Sequence, residues 1–111
     1  MAIPHAESGD PIDIRPFGAR LASEKNTALF KSDQLEVIRL VLPAGKVFPP
    51  HSVSGEITVQ CIEGEIDVTV EGHSRVLTAG EILFLAANVS HGVVALQDSS
   101  ALLTIVLKSS N

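Results

Sequence analysis

One cysteine, four phenylalanines, no tryptophan and no tyrosine occur among the 111 residues of the chain. A lone Cys61 excludes an internal disulfide and any multi-cysteine zinc site. The scarcity of aromatics removes stacking platforms for bases or sugars and leaves an aliphatic core. Basic residues are also few: eight Lys and Arg stand against thirteen Asp and Glu, for a net charge of −5. Polyanions need a basic surface, so no nucleic-acid partner is expected. No apolar run approaches the length that spans a bilayer, and Met1 to Pro11 lack the charged-then-apolar order of a signal peptide. The expectation is a cytoplasmic protein with no membrane partner.

What is present points to a single self-folding domain. Apolar residues make up 45% and charged residues 19%, a globular balance rather than a disordered one. Residues 1–15 (MAIPHAESGDPIDIR) carry two prolines and a Ser-Gly-Asp-Pro stretch, and read as an N-terminal arm holding a solvated His5. Residues 16–111 form the domain proper, and 19–25 has room for a helical turn or two. From Leu35 onward, short Val/Ile/Leu-rich segments alternate with turn residues. Strands are expected at about 27–31, 35–42, 56–63, 65–70, 75–78, 82–85, 92–97 and 101–107. Breaks at Pro43-Ala44-Gly45, Glu63-Gly64, Glu71 to Ser74, Ala79-Gly80, Ala87-Asn88 and Gln97 to Ser100 separate them. This density of short strands without helices predicts an all-β sandwich or barrel.

Several of these segments are apolar on both faces, notably Ile82 to Leu85 and Leu102 to Leu107. A barrel wall buries only its inner face, so the surplus needs a cover. A homodimer that buries one sheet face, with or without the arm, is the expected solution.

Two glycine-anchored segments carry histidines. The first runs from Gly45 through Pro49-Pro50-His51 and Gly55-Glu56-Ile57 to Gly64; the second runs from Gly80 through Ala86 and Asn88 to His91 and Ala95. In these segments, 45–64 and 80–95, the chain resembles the cupin superfamily. The first motif of that family is Gly, five residues, His-x-His, three or four residues, Glu, six residues, Gly. Its second is Gly, five residues, Pro-x-Gly, two residues, His, then Asn three residues later. The resemblance covers roughly residues 35–107 and implies a single-domain cupin-type barrel, a double-stranded β-helix or jelly roll. Gly45, His51, Gly64, Gly80 and His91 match the pattern. Val53 stands in place of the second histidine, and Ile57 in place of the glutamate. Ala86, Asn88 and Ala95 replace the Pro, Gly and Asn of the second motif.

A metal-binding cupin uses three histidines and one carboxylate, of which only His51 and His91 keep their places. Glu56 lies one residue early, and side chains alternate across a strand. With Ile57, Val59 and Cys61 inward, Glu56, Thr58 and Gln60 face out. Only a bulge at Gly55 would turn Glu56 or Gln60 toward a metal. Two histidines alone bind iron, nickel, zinc or manganese weakly, since useful affinity takes three or four protein ligands.

Three readings follow for a pocket of His51, His91, Val53, Ile57 and Cys61. It holds an unknown small molecule without chemistry of its own, or it is a rearranged metal-dependent dioxygenase or isomerase. In the third reading the barrel is simply filled and the protein is a dimeric structural or accessory one, its histidines bonded to backbone, to each other or to water. Cys61 is expected as a small core residue rather than a nucleophile. His73 is expected in solvent, and alternation points Arg39 outward from its apolar strand.

Overall fold

The computed structural model describes residues 5–107. After a short 3-10 helix at Gly18–Ser23, nine strands follow among the described residues. They are β1 (Thr27–Lys31), β2 (Leu35–Leu42), β3 (Val47–His51), β4 (Ile57–Glu63), β5 (Glu65–Val70), β6 (His73–Thr78), β7 (Ile82–Leu85), β8 (His91–Ala95) and β9 (Ser99–Val106). They form two antiparallel sheets, ordered β1-β2-β9-β4-β7 and β3-β8-β5-β6. This is the jelly-roll architecture that the family resemblance implied.

Turn chemistry explains the breaks. Glu71 and Gly72 both have positive φ (49° and 83°), and this two-residue link joins β5 to β6 as a tight hairpin. Gly64, at φ 83°, separates β4 from β5, and a Cβ there would lie 2.2 Å from Ser99 Oγ and 2.4 Å from the Asp98 carbonyl. Only glycine fits both the conformation and the space.

One strand, β3, was not expected from the sequence. Pro49 and Pro50 lie inside it, and proline cannot donate to a ladder. It survives because β3 is the edge of its sheet, where it pairs with β8 alone and its register breaks between Phe48 and His51.

The two faces of the larger sheet differ. On the inner face Ile57, Val59, Cys61, Leu85 and Ala101 join Leu42 and the Ile66, Val68, Leu77 and Ala95 of the other sheet in one buried cluster. On the outer face, register sets Arg39, Leu102, Gln60 and Ile82 in one row, and Val37, Thr104, Thr58 and Phe84 in the next. The residues before the 3-10 helix cover the β2 half of this face, and Ala6 N–H donates to the Leu29 carbonyl of β1 at 2.9 Å.

Arg39 does face away from the barrel interior, as alternation predicted, yet it is 2% exposed. Its Nη2 donates to the Arg15 carbonyl at 3.0 Å and to Ser100 Oγ at 2.9 Å, and pairs with Glu63 Oε2 at 3.4 Å. The Phe17 ring lies over the guanidinium, 4.0 Å from Cζ to the centroid. An irregularity between Cys61 and Glu63 lets Glu63 join the outer face. Its carboxylate also accepts the backbone N–H groups of Phe17 and Gly18 at 2.9 and 3.0 Å and the Ser100 hydroxyl. Burial raises the Glu63 pKa, but these hydrogen bonds and the Arg39 charge outweigh it and hold the carboxyl below its ordinary value.

Candidate functional site

The inner faces of both sheets leave a cavity of about 200 Å³ at one end of the barrel. The larger sheet contributes Leu40, Leu42, Val59 and Leu103, among others, and the smaller sheet contributes Phe48, Ile66 and Val93. Each faces inward because of strand alternation, which makes the cavity aliphatic almost throughout.

His51 and His91 also line it. The register explains how residues so far apart in sequence meet. They are Cα partners across the β3–β8 ladder, and their ring centroids are 4.6 Å apart at a tilt of 51°. His91 is buried and His51 exposed, so the pair spans the boundary between cavity and solvent.

Their hydrogen bonds define the nitrogen that each presents. His91 Nδ1 lies 3.0 Å from the Val89 carbonyl, and His51 Nδ1 lies 3.3 Å from the Pro49 carbonyl. A carbonyl oxygen only accepts, so both Nδ1 atoms carry protons. In the neutral rings the distal nitrogens, Nε2, are therefore lone-pair acceptors.

The other expected site residues divide. Val53 and Ile57 line the same cavity, with methyl groups where a family metal centre would have a histidine and a glutamate. Cys61 is fully buried in the core but does not line the cavity, and burial pushes its thiol pKa up, away from nucleophilic use. Glu56 is exposed, Gln60 lies on the outer row beside Leu102, and neither lines the cavity. Gly55 does not form the bulge that would turn them. It is buried against the end of β9, where a Cβ would fall 1.7 Å from the Val106 carbonyl oxygen. His73 opens β6 in an exposed position, and His5 is exposed in the arm. Phe48, Val93 and Leu103 were not singled out from the sequence, although the alternation that placed Ile57 also places Leu103 inward.

The metal implied by the motif resemblance finds a poor match in these side chains. Among the described residues, no group of three or more His, Cys, Asp or Glu side chains could hold an ion. Two imidazoles beside Val53 and Ile57 offer half the usual donor set, and methyl groups do not offset the desolvation of a dication.

An all-β jelly roll with an aliphatic interior and a histidine pair at its mouth defines the class. The model of the cupin domain matches residues 38–107, and the chain belongs to the cupin family. No curated protein matches it. Solved structures extend the likeness to the whole barrel. A conserved protein of unknown function from Streptococcus pyogenes superposes with a TM-score of 0.75 at 19% identity, over 99% of this chain and 97% of that one. An RmlC-like cupin from Shewanella frigidimarina gives a TM-score of 0.73 at 24% identity, over 97% and 95%. The DMSP lyase DddQ from Ruegeria pomeroyi gives 0.69 at 23% identity, over 88% of this chain and 54% of that one. At these identities the likeness concerns the fold, which is shared by enzymes and by proteins of unknown function.

Proposed function

We propose that this cupin is a small-molecule-binding barrel that holds an aliphatic ligand and carries out no chemistry of its own. The observation that carries this reading is the cavity of about 200 Å³, walled by aliphatic side chains and polar only at His51 and His91. An engineered cavity of about 150 Å³ with similar walls stays dry and takes benzene or xenon, so this volume suits a guest of that order. Among the described residues, neither histidine ring is hydrogen-bonded to a carboxylate, and Cys61 lies outside the cavity. Among the described residues the site therefore offers no histidine–carboxylate pair and no thiol nucleophile.

Xenon binding tests this reading directly. Methyl NMR under xenon pressure should shift Leu40, Leu103 and Ile105 while leaving the outer-row Leu102 unchanged. An unresponsive interior would show the barrel to be filled. Elemental analysis of purified protein should give well under one equivalent of iron, nickel, zinc or manganese. Near-unit occupancy would favour the metal-dependent enzyme reading, which the free Nε2 lone pairs of the histidine pair support.

The exposed outer face supports assembly as a homodimer. Ile82 and Phe84 are each 61% exposed on β7, on the half of the sheet away from the arm. Sedimentation at tens of micromolar should give twice the 11.7 kDa chain mass, and a monomer would remove the proposal. No helix among the described residues is long and apolar enough to cross a membrane. The cytoplasm remains the proposed location.

A further inference from the structure

We infer that the ligand is a short-chain aliphatic primary amine, its alkyl tail in the cavity and its ammonium group on His51 and His91. This rests on the small-molecule reading and adds the chemistry of the head group. Three observations converge on it.

The first is hydrogen-bond polarity. Both Nδ1 protons are directed to backbone carbonyls, at 3.0 Å for His91 and 3.3 Å for His51. While neutral, each ring is therefore left with Nε2 as a lone-pair acceptor, and both rings line the cavity with centroids 4.6 Å apart. An ammonium carries three donors and no acceptor, and can satisfy both rings with one donor left for water. A hydroxyl has one donor and leaves one ring unsatisfied. A carboxylate has only acceptors and would set its lone pairs against those of the imidazoles.

The second is charge. Three loops bound the histidine pair: 52–56 after β3, 71–72 between β5 and β6, and 86–90 before β8. The Glu71 N–H donates to the Ser90 carbonyl, which ties the second of these to the third beside His91. Together they hold Glu56 and Glu71 and neither Lys nor Arg. Lys46 is the nearby cation, with Nζ 5.5 Å from the centroid of the cavity-lining Phe48 ring. In a chain of net charge −5, the two carboxylates of these loops outnumber it and favour a cationic guest.

The third is size. A cavity of about 200 Å³ is somewhat larger than one that accepts benzene, which suits a tail of about six carbons. Phe48, Val59, Val93 and Leu103 supply the apolar contact along it.

Calorimetry of the unmodified protein at pH 8 with a chelator present tests the assignment. There an alkylamine is charged, and histidine in general is neutral. From propylamine to hexylamine, each added methylene should tighten Kd about four-fold, and the gain should stop once the cavity is full. Hexylamine should bind at least ten-fold more tightly than hexanol and far more tightly than hexanoate. His51→Phe and His91→Phe should remove that preference for the amine. In either variant the step per methylene should persist, which shows that the barrel is still folded. If hexanol or hexanoate binds as well as hexylamine, with the methylene step intact, the amine assignment fails while the cavity reading stands. If no series binds and xenon leaves the inner methyls unshifted, both fail. Binding that appears only when zinc is added would also overturn the assignment, because the histidine lone pairs would then serve a metal.

Discussion

The two faces of the larger sheet handle polar groups in opposite ways. On the outer face, Arg39, Glu63 and Ser100 are drawn under the N-terminal residues and are bonded to one another and to the backbone of Arg15, Phe17 and Gly18. Arg39 Nε is the one buried side-chain atom without a partner among the described residues. Around the cavity the walls are apolar, and its polar side chains, His51 and His91, come from the opposite sheet; among the described residues neither Nε2 has a hydrogen-bond partner. A buried charge must be matched where it sits, because burial without a partner costs several kcal/mol. A polar group at a cavity mouth can remain open because water reaches it until a guest arrives. The outer cluster fastens the chain to itself, whereas the inner pair is left for something else.

The largest expected effect breaks the outer cluster. Arg39→Ala leaves the Glu63 carboxylate under Phe17 without its cation, and urea denaturation should show a loss of about 3 to 4 kcal/mol. If the loss is under about 1 kcal/mol, the cluster is far better solvated than its geometry implies.

On the inner face, Leu103→Ala should cost about 2 kcal/mol, toward the lower end for such truncations because the side chain already borders a void. The same change should enlarge the cavity and extend the optimum amine by one or two carbons. A loss above about 4 kcal/mol would mean that Leu103 is closely packed on all sides.

Acid should distinguish the faces further. Glu63 has a folded pKa below its ordinary value of 4.5, so its stabilisation is complete above that pH. The stabilisation is lost as pH falls below 4.5 through the folded value. Glu63→Gln should therefore be less stable than the unmodified protein at pH 7, and the gap should narrow as pH falls below 4.5. A gap that stays constant would show that the Glu63 charge contributes nothing. Trypsin should also cut earlier at Arg20 in Glu63→Gln, since Phe17 and Gly18 lose a charged acceptor.

The smallest effect on the single chain should come from Phe84→Ser. With 61% of Phe84 exposed, the monomer should lose no more than about 0.5 kcal/mol. The same change should weaken a homodimer ten-fold or more if β7 lies at its centre. An unchanged dimer would move the interface elsewhere.

Most strands were legible in the sequence because runs such as Ile57 to Cys61 alternate, and runs such as Leu35 to Leu42 are rich in Val, Ile and Leu and bounded by turn residues. The histidine pair was legible through motif spacing, and the loss of two metal ligands through Val53 and Ile57. Strand β3 was not, because Pro49-Pro50 looks like a break unless the strand is known to lie at a sheet edge.

By itself, then, the sequence determined the all-β class, the inward set of side chains, and the methyl groups that occupy half of the family metal centre. The first two are consequences of local periodicity and residue type, which do not depend on distant partners, and the third follows from the resemblance of the two motifs to the family pattern. Only the tertiary structure decided that Arg39 is buried, that Glu63 meets it from another strand, and that each histidine commits Nδ1 to a backbone carbonyl. Each of these depends on pairings between segments far apart in the chain or on the course of the backbone around Pro49 and Val89. Such contacts leave no periodic trace in the order of the residues.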